Sequence, residues 1–209
     1  RHTRSWRDWS SDVCSSDLVE ALSDGGTIIA ESTTSIEKYS STGARVTAGF
    51  PITAVNTVTS LRRISGGRFI ALGTGGSDNP RVYSNAGTLL ATVPTSGATG
   101  CGANCDPFDM IELSDGQFVA TFQTTTHRSL ELFNSSFGYV GRLYRDTNVL
   151  MTPNSIAQKA NGNIIVCDST YNVCEEFAIQ GVTATRVGTS PLIGNAAVMR
   201  QPMNVLVVP

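Results

Sequence analysis

The stretch from Pro153 to Gly181 reads PNSIAQKANGNIIVCDSTYNVCEEFAIQG, and its punctuation decides the fold. Asn161 and Gly162 mark a tight turn, where the chain takes positive φ, between the short runs PNSIAQK and NIIVCD. A third strand runs through CEEF, AIQG makes a second tight turn, and VTATRVG supplies a fourth strand. Ile164, Ile165 and Val166 are apolar at consecutive positions rather than alternate ones. A strand of that kind is covered on both faces.

The same pattern recurs along the chain. SDGGTIIAE, SGGRFIALG, SDGQFVATF and ANGNIIVCD align Gly26, Gly67, Gly116 and Gly162, at intervals of 41, 49 and 46 residues. A second anchor, Tyr39, Tyr83, Phe133 and Phe177, is followed four or five residues later by Gly43, Gly87, Gly138 and Gly181. Pro107 and Pro153 each lie nine residues before the aligned glycine, and Pro202 starts the motif again in QPMNVLVV. Four short antiparallel strands in roughly 45 residues is the length of one propeller blade. A β-sandwich would not repeat at this period, and a β-solenoid repeats at shorter ones. The expected fold is therefore all-β: a β-propeller of about four four-stranded blades, an incomplete ring from a longer protein. The blades are expected at 19–55, 56–104, 105–151 and 152–201, with 202–209 as the first strand of the next.

The stretch from Pro153 to Gly181 resembles an NHL-type repeat. That pattern is a proline, an apolar strand, Asp/Asn-Gly-Asn, an apolar strand ending in Val-x-Asp, a polar loop, and a strand ending in Phe before a turn glycine. Pro153, Asn161-Gly162-Asn163, Val166 with Asp168, Phe177 and Gly181 match it. Cys174 and Glu175 stand where that family usually has Arg-Ile. The other three units match through their glycine and aromatic anchors. The resemblance implies a propeller, most often of six blades.

The first eighteen residues follow another logic. RDWSSDVCSSDL, from Arg7 to Leu18, fits no strand, helix or cap pattern. It resembles a widely used short-read sequencing adapter read as codons, which gives DWSSDVCSSDL. Residues 1–18 are therefore set aside from the fold as a non-native, disordered tail. Setting Cys14 aside leaves four cysteines in two local pairs, Cys101/Cys105 and Cys167/Cys174. Two disulfides would place the protein in an oxidising, extracytoplasmic setting, whether periplasm, cell surface or secreted; four reduced thiols in the cytosol is the alternative. The 209-residue chain has a net charge of −2 and only two lysines, Lys38 and Lys159. A nucleic-acid binder needs a clustered basic patch, so that class is excluded. No apolar run approaches membrane-spanning length.

Function falls to the loops. The turns after the first and third strands of each unit are short and uniform, whereas the connections after the second strand and between units vary. In an up-and-down blade these two sets emerge on opposite faces, and function gathers on variable loops held by a rigid scaffold. Asp109, Ser155 and Asn204 each lie two residues after a strand-one proline, where side chains gather around the channel. Oxygen ligands there would suit calcium, with channel water as the other occupant. Asp168 ends a second strand, either as a ligand contact or as the acceptor of an Asx turn. His127 is the histidine of the native part, in the loop QTTTHR. The sequon at Asn134 is common by chance. No phosphate loop, nucleophile elbow or zinc spacing occurs. The expected function is a non-catalytic, cofactor-free module recognising a protein or glycan at a bacterial surface. The alternative is a lactonase-like propeller hydrolase or lyase with a metal at the channel mouth.

Overall fold

In the computed structural model, residues 18–30, 34–53, 57–74, 79–95, 107–123 and 128–188 are described. Among them lie four antiparallel sheets, each built from consecutive strands. The first blade comprises β1 (Leu18–Ala21), β2 (Thr27–Ala30), β3 (Ser35–Tyr39), β4 (Arg45–Val46) and β5 (Ile52–Thr53). The second is β6 (Thr57–Ile64), β7 (Arg68–Thr74), β8 (Arg81–Ser84) and β9 (Leu89–Thr92). The third is β10 (Pro107–Glu112), β11 (Phe118–Gln123), β12 (Arg128–Phe133) and β13 (Tyr139–Tyr144). The fourth is β14 (Pro153–Gln158), β15 (Ile164–Asp168), β16 (Val173–Gln180) and β17 (Thr183–Arg186). The first strands β1, β6, β10 and β14 neighbour one another in turn, so the sheets stand side by side about a common axis. This is a β-propeller arc of four blades.

The consecutive apolar residues of each second strand now have their reason. On β7, Phe69 and Ala71 pack toward the first blade while Ile70 and Leu72 pack toward the third. On β11, Phe118, Ala120 and Phe122 face the second blade, and Val119 faces the fourth. On β15, Ile164 and Val166 face the third blade, while Ile165 and Cys167 lie on the other side of the sheet. Each such phenylalanine or isoleucine removed from water contributes about 1.5–3 kcal/mol. The core is thus a series of layers between sheets. The aromatic anchors pair across each sheet near the start of the second strand: Thr27 with Tyr39, Phe69 with Tyr83, Phe118 with Phe133 and Ile164 with Phe177.

The structure corrects four details of the sequence reading. The first-blade turn residue is Gly25, with φ +81°, not Gly26, and it lies 42 residues before Gly67. The shift puts Ile28 and Ala30 on the face that meets the second blade. In the third blade the left-handed turn position after β12 belongs to Phe137, φ 64°, and not to Gly138. A bulky residue there carries roughly 1–2 kcal/mol of strain. The Phe137 ring offsets it by packing on Phe118 with centroids 4.7 Å apart. The first blade's outer strand is split: β4 and β5 both pair with β3, on either side of a connection containing a cis Phe50–Pro51 bond. Leu18, expected in a disordered tail, is instead ordered and pairs with Ala30 at the start of β1.

Candidate functional site

Near the axis, the first strands of three blades meet at Asp109. A β-bulge lies near the start of each of these strands, between Val58 and Ser60, Pro107 and Asp109, and Pro153 and Ser155. The bulge aims the next side chain out of the ladder. Asp109 Oδ1 accepts Ser60 Oγ at 2.7 Å, Arg62 Nε at 2.8 Å and the Met110 amide at 2.9 Å. Oδ2 accepts Arg62 Nη2 and, at 3.0 Å, the Ile156 amide. Burial disfavours the Arg62 charge, but its bonds to Asp109 and the field of Asp109 and Glu20 hold the guanidinium pKa above its ordinary value. Burial pushes the Glu20 carboxyl upward against the opposing pull of Arg62. Arg62 and Glu20 were missed by the sequence reading, which counted Asp109 as the one charge near the axis.

A second set of charges repeats on the outer half of the blades. Glu37, Glu131 and Glu175 each stand two residues before the aromatic anchor, and all three are buried. Each pairs with an arginine of the neighbouring outer strand: Arg45 at 2.6 Å, Arg142 at 2.9 Å and Arg186 at 2.7 Å. Glu131 also accepts Ser129 Oγ and the Tyr139 hydroxyl. In the second blade Arg81 takes the glutamate's place. The spacing was visible in the sequence, where EKY, ELF and EEF share it.

The variable loops of the third and fourth blades converge on Asp168. This residue is fully buried at the end of β15. Its Oδ2 accepts the amides of Met151 and Thr152, both at 2.6 Å, from the connection between blades. Its Oδ1 accepts the amides of Thr170 and Tyr171, both at 2.9 Å, in the following loop, and Thr152 Oγ1 at 3.3 Å. The Asx turn weighed from the sequence is therefore present, and it also fastens two loops together. Thr152 Oγ1 lies 2.7 Å from Thr170 Oγ1, and the Tyr171 hydroxyl donates to the Thr147 carbonyl at 2.7 Å. Beside this knot opens a crevice of about 230 Å³ lined by Asn148, Val149, Tyr171, Val173, Glu175 and Arg186.

Of the other residues marked in the sequence, Ser155 is buried on β14 opposite Cys167. It occupies the same position after the bulge as Asp109 and Ser60. Cys167 and Cys174 are directly paired across β15 and β16 and form a disulfide, with Cα atoms 4.0 Å apart. Asn204, His127, Cys101 and Cys105 lie outside the described residues. Among the described residues there is no group of three or more His, Cys, Asp or Glu side chains placed to hold a metal ion.

No family model matches the chain, and no curated protein matches it. Solved structures do. A protein assigned as a gluconolactonase superposes with a TM-score of 0.65 at 15% identity, over 82% of this chain and 63% of that one. A catalytically inactive virginiamycin B lyase from Staphylococcus aureus, solved with quinupristin, gives 0.64 at 12% identity, over 93% of this chain and 60% of that one. The extracellular domain of a hybrid two-component system from B. thetaiotaomicron gives 0.59 at 11% identity, over 90% of this chain and 24% of that one. These likenesses establish the propeller fold. The chain spans less than two thirds of the length of each.

Proposed function

We propose that this chain belongs to a non-catalytic binding module that works outside the cytoplasm, at a bacterial surface, and recognises a protein or glycan through the variable-loop face of the propeller. The observation that carries this reading is the double fastening by Asp168. One buried carboxylate holds the connection between blades and the β15–β16 loop in a single arrangement, next to an open crevice. Loops held this way lose little freedom on binding, so more of the contact energy appears as affinity. The Cys167–Cys174 disulfide supports the extracytoplasmic setting, where such bonds persist.

The alternative, a hydrolase or lyase with a metal at the channel mouth, draws support from the fold it shares with a gluconolactonase-assigned protein and a lyase. Asp109 and Asp168 do not fit calcium. Asp109 already accepts five protein donors and Asp168 four backbone amides, and a carboxylate offers about four lone-pair sites. No catalytic step is assigned to them.

The deciding experiment applies the chain to arrays of glycans and extracellular proteins, alongside turnover assays on lactones and cyclic esters with and without divalent cations. Binding weakened by Asn148→Ala and unaffected by Asp115→Ala, on the opposite face, supports the proposal. Cation-dependent turnover overturns it.

A further inference from the structure

We infer that the crevice between Tyr171 and Arg186 is a subsite for one neutral sugar ring; the inference rests on the loop-face reading above and narrows it to glycans. Size comes first. At about 230 Å³ the crevice falls below the roughly 300–1,000 Å³ of sites that take drug-sized molecules, so it admits a single ring.

Charge comes next. Arg186 Nε and Nη2 donate to the two oxygens of Glu175, both at 2.7 Å, so the two charges in the crevice cancel. An anionic or cationic ligand would have to compete with that bidentate pair. Nη1 of Arg186 still carries two N–H donors not directed at Glu175. The Asn148 side chain offers a donor and an acceptor side by side, while its backbone amide is pinned to the Asp146 carboxylate at 2.9 Å.

The remaining walls are apolar. Val149 and Val173 line the crevice, and the Tyr171 ring is held by the hydroxyl's bond to Thr147. The ligand must therefore present a hydrogen-bonding edge and an apolar C–H face at once. A sugar ring has both. An aliphatic side chain of a protein partner would leave Asn148 and Arg186 donors unpaired on burial, which costs affinity.

The test uses the whole chain and a panel of neutral monosaccharides: glucose, galactose, mannose, fucose and N-acetylglucosamine. Saturation-transfer NMR finds which of them bind, and calorimetry measures affinity. At least one is expected to bind. Asn148→Ala, with unchanged melting temperature, and Tyr171→Ala, which also gives up the hydroxyl's bond to Thr147, are each expected to weaken it about tenfold, the size of one lost hydrogen-bonding or stacking contact. Tyr171→Phe keeps the ring and is expected to retain binding. If no sugar binds, or binding ignores both alanine variants, the subsite is overturned. A protein ligand held by the loop face without any sugar binding overturns the subsite and leaves the wider proposal standing. Loss of all loop-face binding removes both.

Discussion

Asp109 Oδ2 accepts the backbone amide of Ile156 from 3.0 Å away, across the boundary between the third and fourth blades. The same carboxylate holds Ser60 and Arg62 of the second blade. One side chain therefore ties three sheets together near the axis, where inner strands otherwise leave their outward amides without a ladder partner.

Asp109→Asn removes the charge opposite Arg62 while keeping the side chain's shape. A buried guanidinium left without its carboxylate makes this substitution costly, by about 3–5 kcal/mol. Urea unfolding of the variant is expected to show a lower midpoint. Asp115→Asn, in an exposed turn, is expected to stay within about 0.5 kcal/mol of the parent chain. Equal effects at the two positions would refute the clasp.

Gly49 and Gly87 let two chain segments of the first and second blades touch backbone to backbone. A Cβ at Gly49 would run into the carbonyl oxygen of Ala86, whereas a Cβ at Gly43 would meet open space. Both glycines have positive φ, 77° and 80°. Gly43→Ala is therefore expected to cost only the backbone term of roughly 1–2 kcal/mol. Gly49→Ala is expected to cost clearly more, since backbone must also move. Thermal melts of the two variants check the order.

Reduction of the Cys167–Cys174 bridge frees a loop with a sequence separation of 7 between its ends. Loop-closure entropy for so short a loop is about 2.5 kcal/mol, and stability is expected to fall by that order. The Cys167→Ala/Cys174→Ala double variant is expected to melt at the temperature of the reduced parent. Alkylation before reduction is expected to leave both cysteines unlabelled; labelling of either would show the bridge is not formed in solution.

Tyr139 titrates late. Burial, then its hydrogen bond to Glu131 and that carboxylate's field, raise its pKa from 10.0 to about 12. The fold thus holds the proton more tightly than the unfolded chain does. The stabilisation is complete below pH 10 and is lost as pH climbs toward 12. Unfolding measured across that window is expected to show the loss, and Tyr139→Phe to abolish this part of it. Tyrosinate absorbance that rises fully by pH 10 would contradict the assignment.

The blade repeat was legible because β-structure is locally punctuated. The Gly116 and Gly162 turns and the four aromatic anchors report on neighbours within one sheet, and double-sided runs such as Ile164-Ile165-Val166 report that a strand is covered on both faces. The slip at Gly25 arose from the doublet Gly25-Gly26, where either residue can make the turn. Phe137 was missed because glycine is the residue without a steric cost at positive φ, and Gly138 stood next to it. Glu37, Glu131 and Glu175 carried a readable spacing that was passed over.

Amino-acid order alone thus determined the number of blade units, the spacing of their anchors and the doubly apolar character of each second strand, because these are set by residues a few positions apart or by the period itself. Which side chains work together was decided only by tertiary structure. Asp109 and Arg62 lie 47 positions apart, as do Asp109 and Ile156, and Asp168 and Met151 lie 17 apart. No local pattern encodes those meetings, since they arise when one sheet is stacked against the next. The crevice at Tyr171 exists for the same reason: its walls come from loops and strands that only the packing of the third and fourth blades brings together.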